Sequence, residues 1–167
     1  PGIFLPISGN AMVNPVPTVW RFGQAFLGDA PSQSPAAARV ETFTFAPANF
    51  RSRTIRVLLP RGYDANGPKV YPVLYAQDAQ NVFSPGGPFG SWDLDLSISS
   101  MIRKGELPEI ILVGIDNTQD RFAELTPEWG TVMSTQGRGR EFLRMIRDEL
   151  LPVIATKYRV ATGPANT

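Results

Sequence analysis

Two short apolar runs constrain the fold more than any other feature of this sequence. They read YPVLYAQ at residues 71–77 and EIILVGID at residues 109–116, and turn-forming residues bound both. Neither run alternates apolar with polar residues, which is typical of a strand covered on both faces of a parallel sheet. Parallel neighbours need a crossover connection, so we expect helices to follow these strands.

An alternating segment precedes the two runs. RVETFTFA begins at Arg39, and RTIRVLLP begins at Arg53 after the turn PANFRS. Alternation with a short connection predicts two antiparallel strands joined as a hairpin.

Two helices are predicted around the second apolar run. The first begins at Ser91, whose hydroxyl would cap the open amides, and stops near Gly105. The second is the amphipathic stretch 139–158, which would bury Phe142 and Val153 on one face and bend near Pro152. Strands that alternate with helices indicate an α/β fold.

The first 36 residues differ in composition from the rest of the chain. They are rich in Pro, Ser, Ala and Gly and show no sustained period, so residues 1–36 are interpreted as a Pro-rich arm and 37–167 as the folded domain. The chain starts at Pro1 without a Met, which favours an extracytoplasmic location, secreted or periplasmic.

Composition excludes several classes of function. The chain has 167 residues with no His and no Cys, so it cannot contain a complete Ser-His-Asp triad or a His or thiolate metal site. We expect neither metal nor cofactor. The 16 basic residues are balanced by 15 acidic ones and are scattered, which argues against a nucleic-acid partner. No apolar run approaches the length of a membrane span.

Five segments carry a family resemblance. In order they read SRTIRVLLPRGYD, YPVLYAQDAQNVF, WDLD, IILVGIDNTQDRFAELTP and GREFLRMIRDELLPVIATKYRV. This succession, from about residue 38 to 167, resembles the N-terminal half of the esterase D and enterochelin-esterase-like family of α/β-hydrolases. The resemblance implies the N-terminal part of an α/β-hydrolase sheet, a hairpin followed by parallel strands with crossover helices, ending just before the nucleophile strand. It also implies hydrolysis of a carboxylic ester.

The resemblance assigns catalytic backbone donors to the loop after the first apolar run. In relatives this loop donates an N–H to the oxyanion hole, which stabilises the negative oxygen of the tetrahedral intermediate. By position the donor is the amide of Gln80, with Ala79 as the alternative. The family usually has Asp-Gly-Gln here and this chain has Asp-Ala-Gln, so a Cβ stands where unusual backbone angles often require glycine.

Five side chains are expected to bind substrate: Asp78, Asn81, Trp92, Arg121 and Glu124. For Asp78 the alternative is a carboxylate that accepts local amides. Arg121 and Glu124 could instead form an ion pair that pins a long loop. For Trp92 a place in the core or the cleft wall is favoured over a specific contact.

The nucleophile is expected outside this chain. The family's G-x-S-x-G elbow is absent, and the acid and the His would also lie downstream. We therefore expect a C-terminal half of the hydrolase domain as partner, from the same precursor or a second chain, because the strand 71–77 would otherwise be an open apolar edge. The rival hypothesis is a non-catalytic binding or structural module on a hydrolase scaffold. A nucleotide-binding domain is disfavoured, since no glycine-rich loop follows a strand in the required place.

Overall fold

The computed structural model describes residues 37–163. The predicted arm, residues 1–36, lies outside the described residues. Four strands form the main sheet: β1 (Arg39–Phe45), β2 (Arg53–Leu59), β3 (Val73–Gln77) and β4 (Ile111–Ile115). Their order across the sheet is β1-β2-β4-β3.

The strand directions confirm the predicted mixed sheet. β1 and β2 pair antiparallel as the expected hairpin, with Arg39 opposite Leu59 and Phe45 opposite Arg53. β2 pairs antiparallel with β4, and β4 pairs parallel with β3. The chain therefore crosses over once between β3 and β4, so that both strands end at the same edge of the sheet.

Burial confirms one of the two apolar strands as fully covered. Every residue of β4 is buried, since β4 has neighbours on both sides and helices on both faces. In β3, Leu74 is 43% exposed, so the prediction of cover on both faces is wrong for this strand. On the side of β3 away from β4, the described residues contribute one parallel bridge, from Tyr71 to Val160.

Five α-helical segments accompany the sheet. They are α1 (Ala79–Val82), α2 (Leu94–Lys104), α3 (Arg121–Leu125), α4 (Gly139–Met145) and α5 (Leu151–Lys157). A 3-10 turn covers Asp64–Asn66, and a small hairpin pairs Thr131–Val132 with Thr135–Gln136. The sequence pattern missed α1, α3 and this hairpin, because each is too short to show a period.

The start predicted for α2 was wrong and its end was confirmed. The N-cap residue is Asp93, in the left-handed region, and the hydroxyl of Ser91 accepts the Asp93 amide at 2.9 Å without capping the helix. Gly105 ends the helix at φ 75°, where its amide donates to the last turn. Glycine suits this position because a Cβ is disfavoured at positive φ.

The predicted irregularity near Pro152 is a π turn. Residues Ile146–Leu150 form this wide turn between α4 and α5, and it ends two residues before Pro152, which lacks an amide hydrogen. The extra residue moves the buried face by one position, so that Leu150 and Ile154 are fully buried and Val153 is only partly buried.

The core lies on both faces of the sheet. One cluster joins alternate residues of β2 and β4 to Phe142, Met145, Leu150 and Ile154 of the α4–α5 helix. The other joins Leu58 and Leu112, on the opposite face, to α1 and to Ile98 of α2. Within residues 37–163, none of the helices is both long and apolar enough to cross a bilayer.

Candidate functional site

The loops that follow β3 and β4 meet at the carboxyl edge of the sheet. The carboxylate of Asp78, directly after β3, accepts two hydrogen bonds from Arg121, at 2.8 Å from Nε and 2.5 Å from Nη2. It also accepts one from Nδ2 of Asn117 at 2.6 Å. Parallel neighbours end at one edge, which brings these two polar loops together as ligand sites of open α/β sheets require.

A second contact joins the same loops through two amide side chains. Gln80 Nε2 donates to Asn117 Oδ1, and the backbone amide of Asn117 donates to Gln80 Oε1 at 3.0 Å. Gln80 is thus held at both ends of its side-chain amide by one residue.

Electrostatics keep the Asp78 carboxylate ionised. Its hydrogen bonds with Arg121 lower its pKa, helped by the bond from Asn117, while partial burial opposes the shift. The same pairing raises the pKa of Arg121. At neutral pH the carboxylate is therefore a fixed anion and does not act as a proton donor.

The unusual backbone angles fall on Asp78 and not on Ala79. Asp78 has φ 58° and ψ 39°, in the left-handed region, whereas Ala79 is the first residue of α1. The Cβ of Ala79 therefore stands on a helical residue and does not conflict with the backbone there. The Ala79 side chain is fully buried against β4, where a Cβ on Gly114 would lie 2.6 Å from it.

The two predicted donor amides stand at the start of α1. Asn81 and Val82 are the first residues of this turn whose amides bond within it, both to the carbonyl of Asp78, at 2.8 and 3.2 Å. The amides of Ala79 and Gln80 precede them, as the open N–H groups of a helix start do.

Glu124 is buried and accepts a hydrogen bond from the Thr118 hydroxyl of the loop after β4 at 3.5 Å. It forms a bidentate pair with Arg53 of β2, at 2.7 and 3.0 Å, and these side chains are 2% and 1% exposed. The guanidinium also lies 5.2 Å from the centre of the Phe142 ring. Glu124 therefore pairs with Arg53, and Arg121 pairs with Asp78. Whether Arg121 or Glu124 contacts substrate stays a prediction.

Sequence reasoning missed Asn117 and the arginines before and within β2. Besides Arg53, Arg51 pairs with Asp120 at 2.7 Å and Arg56 with Asp116 at 2.8 Å. The available signal was the run of arginines in RSRTIR together with three acids in DNTQDRFAE. These pairs fasten the loop after β4 to the neighbouring strand.

The remaining predicted contacts are Trp92 and Asn81. Trp92 is 79% exposed, so the core alternative is wrong for it, and its amide donates to the carbonyl of Asn81 at 2.9 Å. Asn81 Oδ1 is buried and has no hydrogen-bond partner among the described residues. Whether either side chain contacts substrate stays a prediction.

A groove of 440 Å³ opens beside the end of β3. Its walls include Gln77, Leu125, Trp129, Phe142 and Leu143. The Trp129 and Leu143 side chains are 83% and 66% exposed, so the groove presents an accessible apolar surface next to the polar loops. Within residues 37–163 no group of three acidic, His or Cys side chains could hold a metal ion.

Comparison with known proteins identifies the family. Residues 48–166 match the family described as "Putative esterase", which is more than half of the chain, and the chain belongs to this family. The resemblance noted from the sequence is thereby confirmed. Among curated proteins none matches the sequence.

Solved structures share the fold. The chain is similar to an IroE-like serine hydrolase from Shewanella oneidensis, with 26% identity and a TM-score of 0.57 over 74% of this chain and 39% of that one. It resembles ferric enterobactin esterase from Salmonella typhimurium, with 19% identity and a TM-score of 0.57 over 80% and 30%. For the feruloyl esterase module from Clostridium thermocellum the values are 22%, 0.51, 78% and 41%. The last two likenesses bear on the fold alone.

The chain spans less than half the length of each of these structural relatives. The fold is accordingly that of part of an α/β-hydrolase, with the mixed sheet and helices predicted from the sequence.

Proposed function

We propose that this chain forms the N-terminal part of a serine carboxylic-ester hydrolase and supplies one arm of its oxyanion hole. The observation that carries the proposal is the geometry after β3. There the open amide of Gln80 stands at the start of α1. Asn117 and Arg121, which both follow β4, hold this loop through hydrogen bonds to Gln80 and Asp78. We call residues 78–81 the oxyanion loop.

The nucleophile, the acid and the His are proposed to come from sequence outside this chain. The support is the composition, which has no His, together with membership of an esterase family. The position of residues 159–161 agrees with a further strand beside β3. Tyr71 donates to the Arg159 carbonyl at 3.0 Å and accepts from the Ala161 amide at 2.8 Å, which is a parallel pairing.

The proposed reaction follows from these parts. The hydroxyl of the Ser attacks the ester carbonyl while its proton passes to the His, and the carbonyl π electrons move onto oxygen. The Gln80 amide donates to that oxyanion, which lowers the barrier. When the carbonyl re-forms, the C–O bond to the alcohol breaks and the alkoxide takes the proton from the His. Water then releases the acid by the same two steps.

The substrate is proposed to be a small-molecule ester with an apolar part in the groove at Trp129 and Leu143. The groove adjoins Gln77, the residue before the oxyanion loop, so a group bound there would lie beside the reacting carbonyl. The structural relatives are named for an enterobactin ester and a feruloyl ester, and both types remain open for this chain.

The test is active-site labelling with a fluorophosphonate, which reacts only with an activated Ser. The chain is prepared alone and together with its downstream sequence. We expect one labelled Ser in the longer protein, outside residues 1–167, and none in the chain alone. Intact mass under non-denaturing conditions shows whether a second polypeptide binds. An unlabelled longer protein would leave a non-catalytic module as the better description.

A further inference from the structure

Asn117 contacts both residues that flank Ala79 in the oxyanion loop. Its Nδ2 donates to Asp78, its Oδ1 accepts from the Gln80 side chain, and its backbone amide donates to Gln80 Oε1. We propose that Asn117 is the positioning residue of the oxyanion loop, which sets the direction of the Gln80 N–H. This inference rests on the proposed function.

The loop needs an external support because its own backbone is strained. A residue other than glycine in the left-handed region costs about 1–3 kcal/mol and persists only when its surroundings hold it there. Asp78 is in that region, and the α1 turn that follows has four residues. So short a turn does not hold its own direction, since isolated helices of that length are unstable.

The platform under Asn117 is rigid. Asn117 follows β4 by two residues, and all of β4 is buried between two neighbouring strands. The intervening Asp116 donates its amide to the Thr54 carbonyl at 3.0 Å and pairs with Arg56 through two hydrogen bonds, at 2.8 and 3.0 Å. Asn117 is therefore fixed relative to the sheet, and its hydrogen bonds hold the oxyanion loop in a fixed position relative to β4.

Chemistry fixes the orientation of both amide side chains. The ionised Asp78 carboxylate only accepts, so the Nδ2 group of Asn117 must face it. The Asn117 Oδ1 then faces Gln80 Nε2, and Gln80 Oε1 faces the Asn117 amide hydrogen. Arg121 also binds Asp78, but within residues 37–163 it forms no hydrogen bond with Gln80. Asn117 thus joins the strained residue to the donor residue.

The first experiment compares Asn117→Ala with Asp120→Asn in the longer protein. A displaced catalytic donor can cost roughly 10²-fold in rate, so Asn117→Ala should lower kcat by about that factor and leave KM unchanged. Asp120→Asn breaks the exposed Arg51 pair on the same loop, which is outside the platform, and should leave kcat unchanged. An unchanged kcat in Asn117→Ala, or an equal kcat loss in Asp120→Asn, would overturn the proposal.

A rescue variant shows whether the hydrogen bonds of Asn117 or only the volume of its side chain matter for kcat. Asn117→Asp places a second carboxylate beside Asp78 and should lose activity as Asn117→Ala does. Combining it with Asp78→Asn restores one donor and one acceptor between the two positions, and most of the lost kcat should return. Failure of the double variant to exceed the single one would count against the assignment.

Amide hydrogen exchange, followed by NMR in the same proteins, gives a readout that needs no activity. Asn117→Ala should speed exchange at Asn81, whose amide bonds to the Asp78 carbonyl, and leave the β4 amides unchanged. If the wild-type longer protein is inactive, the proposed function fails, and this measurement alone decides the positioning role: unchanged exchange at Asn81 refutes it, and faster exchange there supports it.

Discussion

Asp78 and Arg121 lie 43 residues apart in the chain and form a bidentate ion pair, with Nε to Oδ1 at 2.8 Å and Nη2 to Oδ2 at 2.5 Å. The pair joins the loop after β3 to the helix that follows β4. Its side chains are 24% and 38% exposed, so solvent weakens the attraction, and its main effect is on loop geometry.

Acid should remove the contribution of this pair to stability. The folded-state pKa of Asp78 lies below its ordinary value of 3.8, so the contribution is present above pH 3.8 and is lost as the pH falls through the folded-state pKa. Asp78→Asn should therefore be less stable than wild type at neutral pH, by about 1 kcal/mol. Denaturant unfolding at several pH values measures the difference, which should shrink below pH 3.8. A difference that stays constant on acidification would contradict the assignment.

Breaking the buried Arg53–Glu124 pair should cost far more. Glu124→Gln leaves a guanidinium uncompensated at a site where both side chains are at most 2% exposed. Such a loss costs about 3–5 kcal/mol. The matched control is Asp120→Asn, which breaks the exposed Arg51 pair on the same loop and should cost less than about 1 kcal/mol. Similar unfolding free energies for the two variants would show that burial does not govern these pairs.

A methyl group on Gly114 should displace α1. The new Cβ would lie 2.6 Å from the Cβ of Ala79 and also meet the Phe83 ring. Overpacking of this kind costs about 1–3 kcal/mol. We expect Gly114→Ala in the longer protein to lower both stability and the proposed ester hydrolysis, and Phe83→Leu in the same protein to restore part of both. No recovery in the double variant would mean that the ring is not the obstacle.

We expect Tyr158 to lose its phenol proton at a higher pH than an ordinary tyrosine. Burial, followed by its hydrogen bond to Glu41 at 3.1 Å, raises its pKa to about 12. Because the folded-state pKa is raised above 10.0, the stabilisation is present below pH 10.0 and is lost as the pH rises through about 12. Tyrosinate absorbance followed against pH should contain a late step that Tyr158→Phe removes. A late step that survives in this variant would assign it to another tyrosine, such as Tyr75, whose pKa burial also raises.

Removal of the Gln80 amide hydrogen should slow ester hydrolysis. Gln80→Pro deletes the N–H in the first helical turn, where proline is tolerated. Gln80→Ala keeps the N–H and loses only the side chain. Loss of one oxyanion donor costs about 10²–10³-fold in kcat, so the proline variant of the longer protein should fall below the alanine variant by about that factor. Equal rates in two folded variants would exclude the Gln80 amide as donor.

Period and turn chemistry were enough to predict much of the scaffold. Alternation in RVETFTF identified β1, and the apolar run at 111–115 identified a buried strand. Gly105 marked the end of α2 correctly, because a left-handed residue after a helix has a strong local preference for glycine. The cap at Ser91 was wrong. Local preference allows the helix to start at several residues. The Ser84 amide donates to the Asp95 carboxylate at 3.0 Å, and this contact helps to fix where the loop ends and the helix begins.

Some features of the candidate site could likewise be predicted from the sequence, and others could not. The sequence by itself determined that polar residues follow β3 and β4, and the family resemblance predicted an oxyanion loop at residues 78–81. Only the tertiary structure decided that Arg53 is buried against Glu124, that Asn117 holds Gln80, and that the strain falls on Asp78. Periodicity reports which face of an element is apolar, whereas a pair of charged or amide groups depends on the register and order of strands far apart in the chain. That information exists only once the sheet has formed.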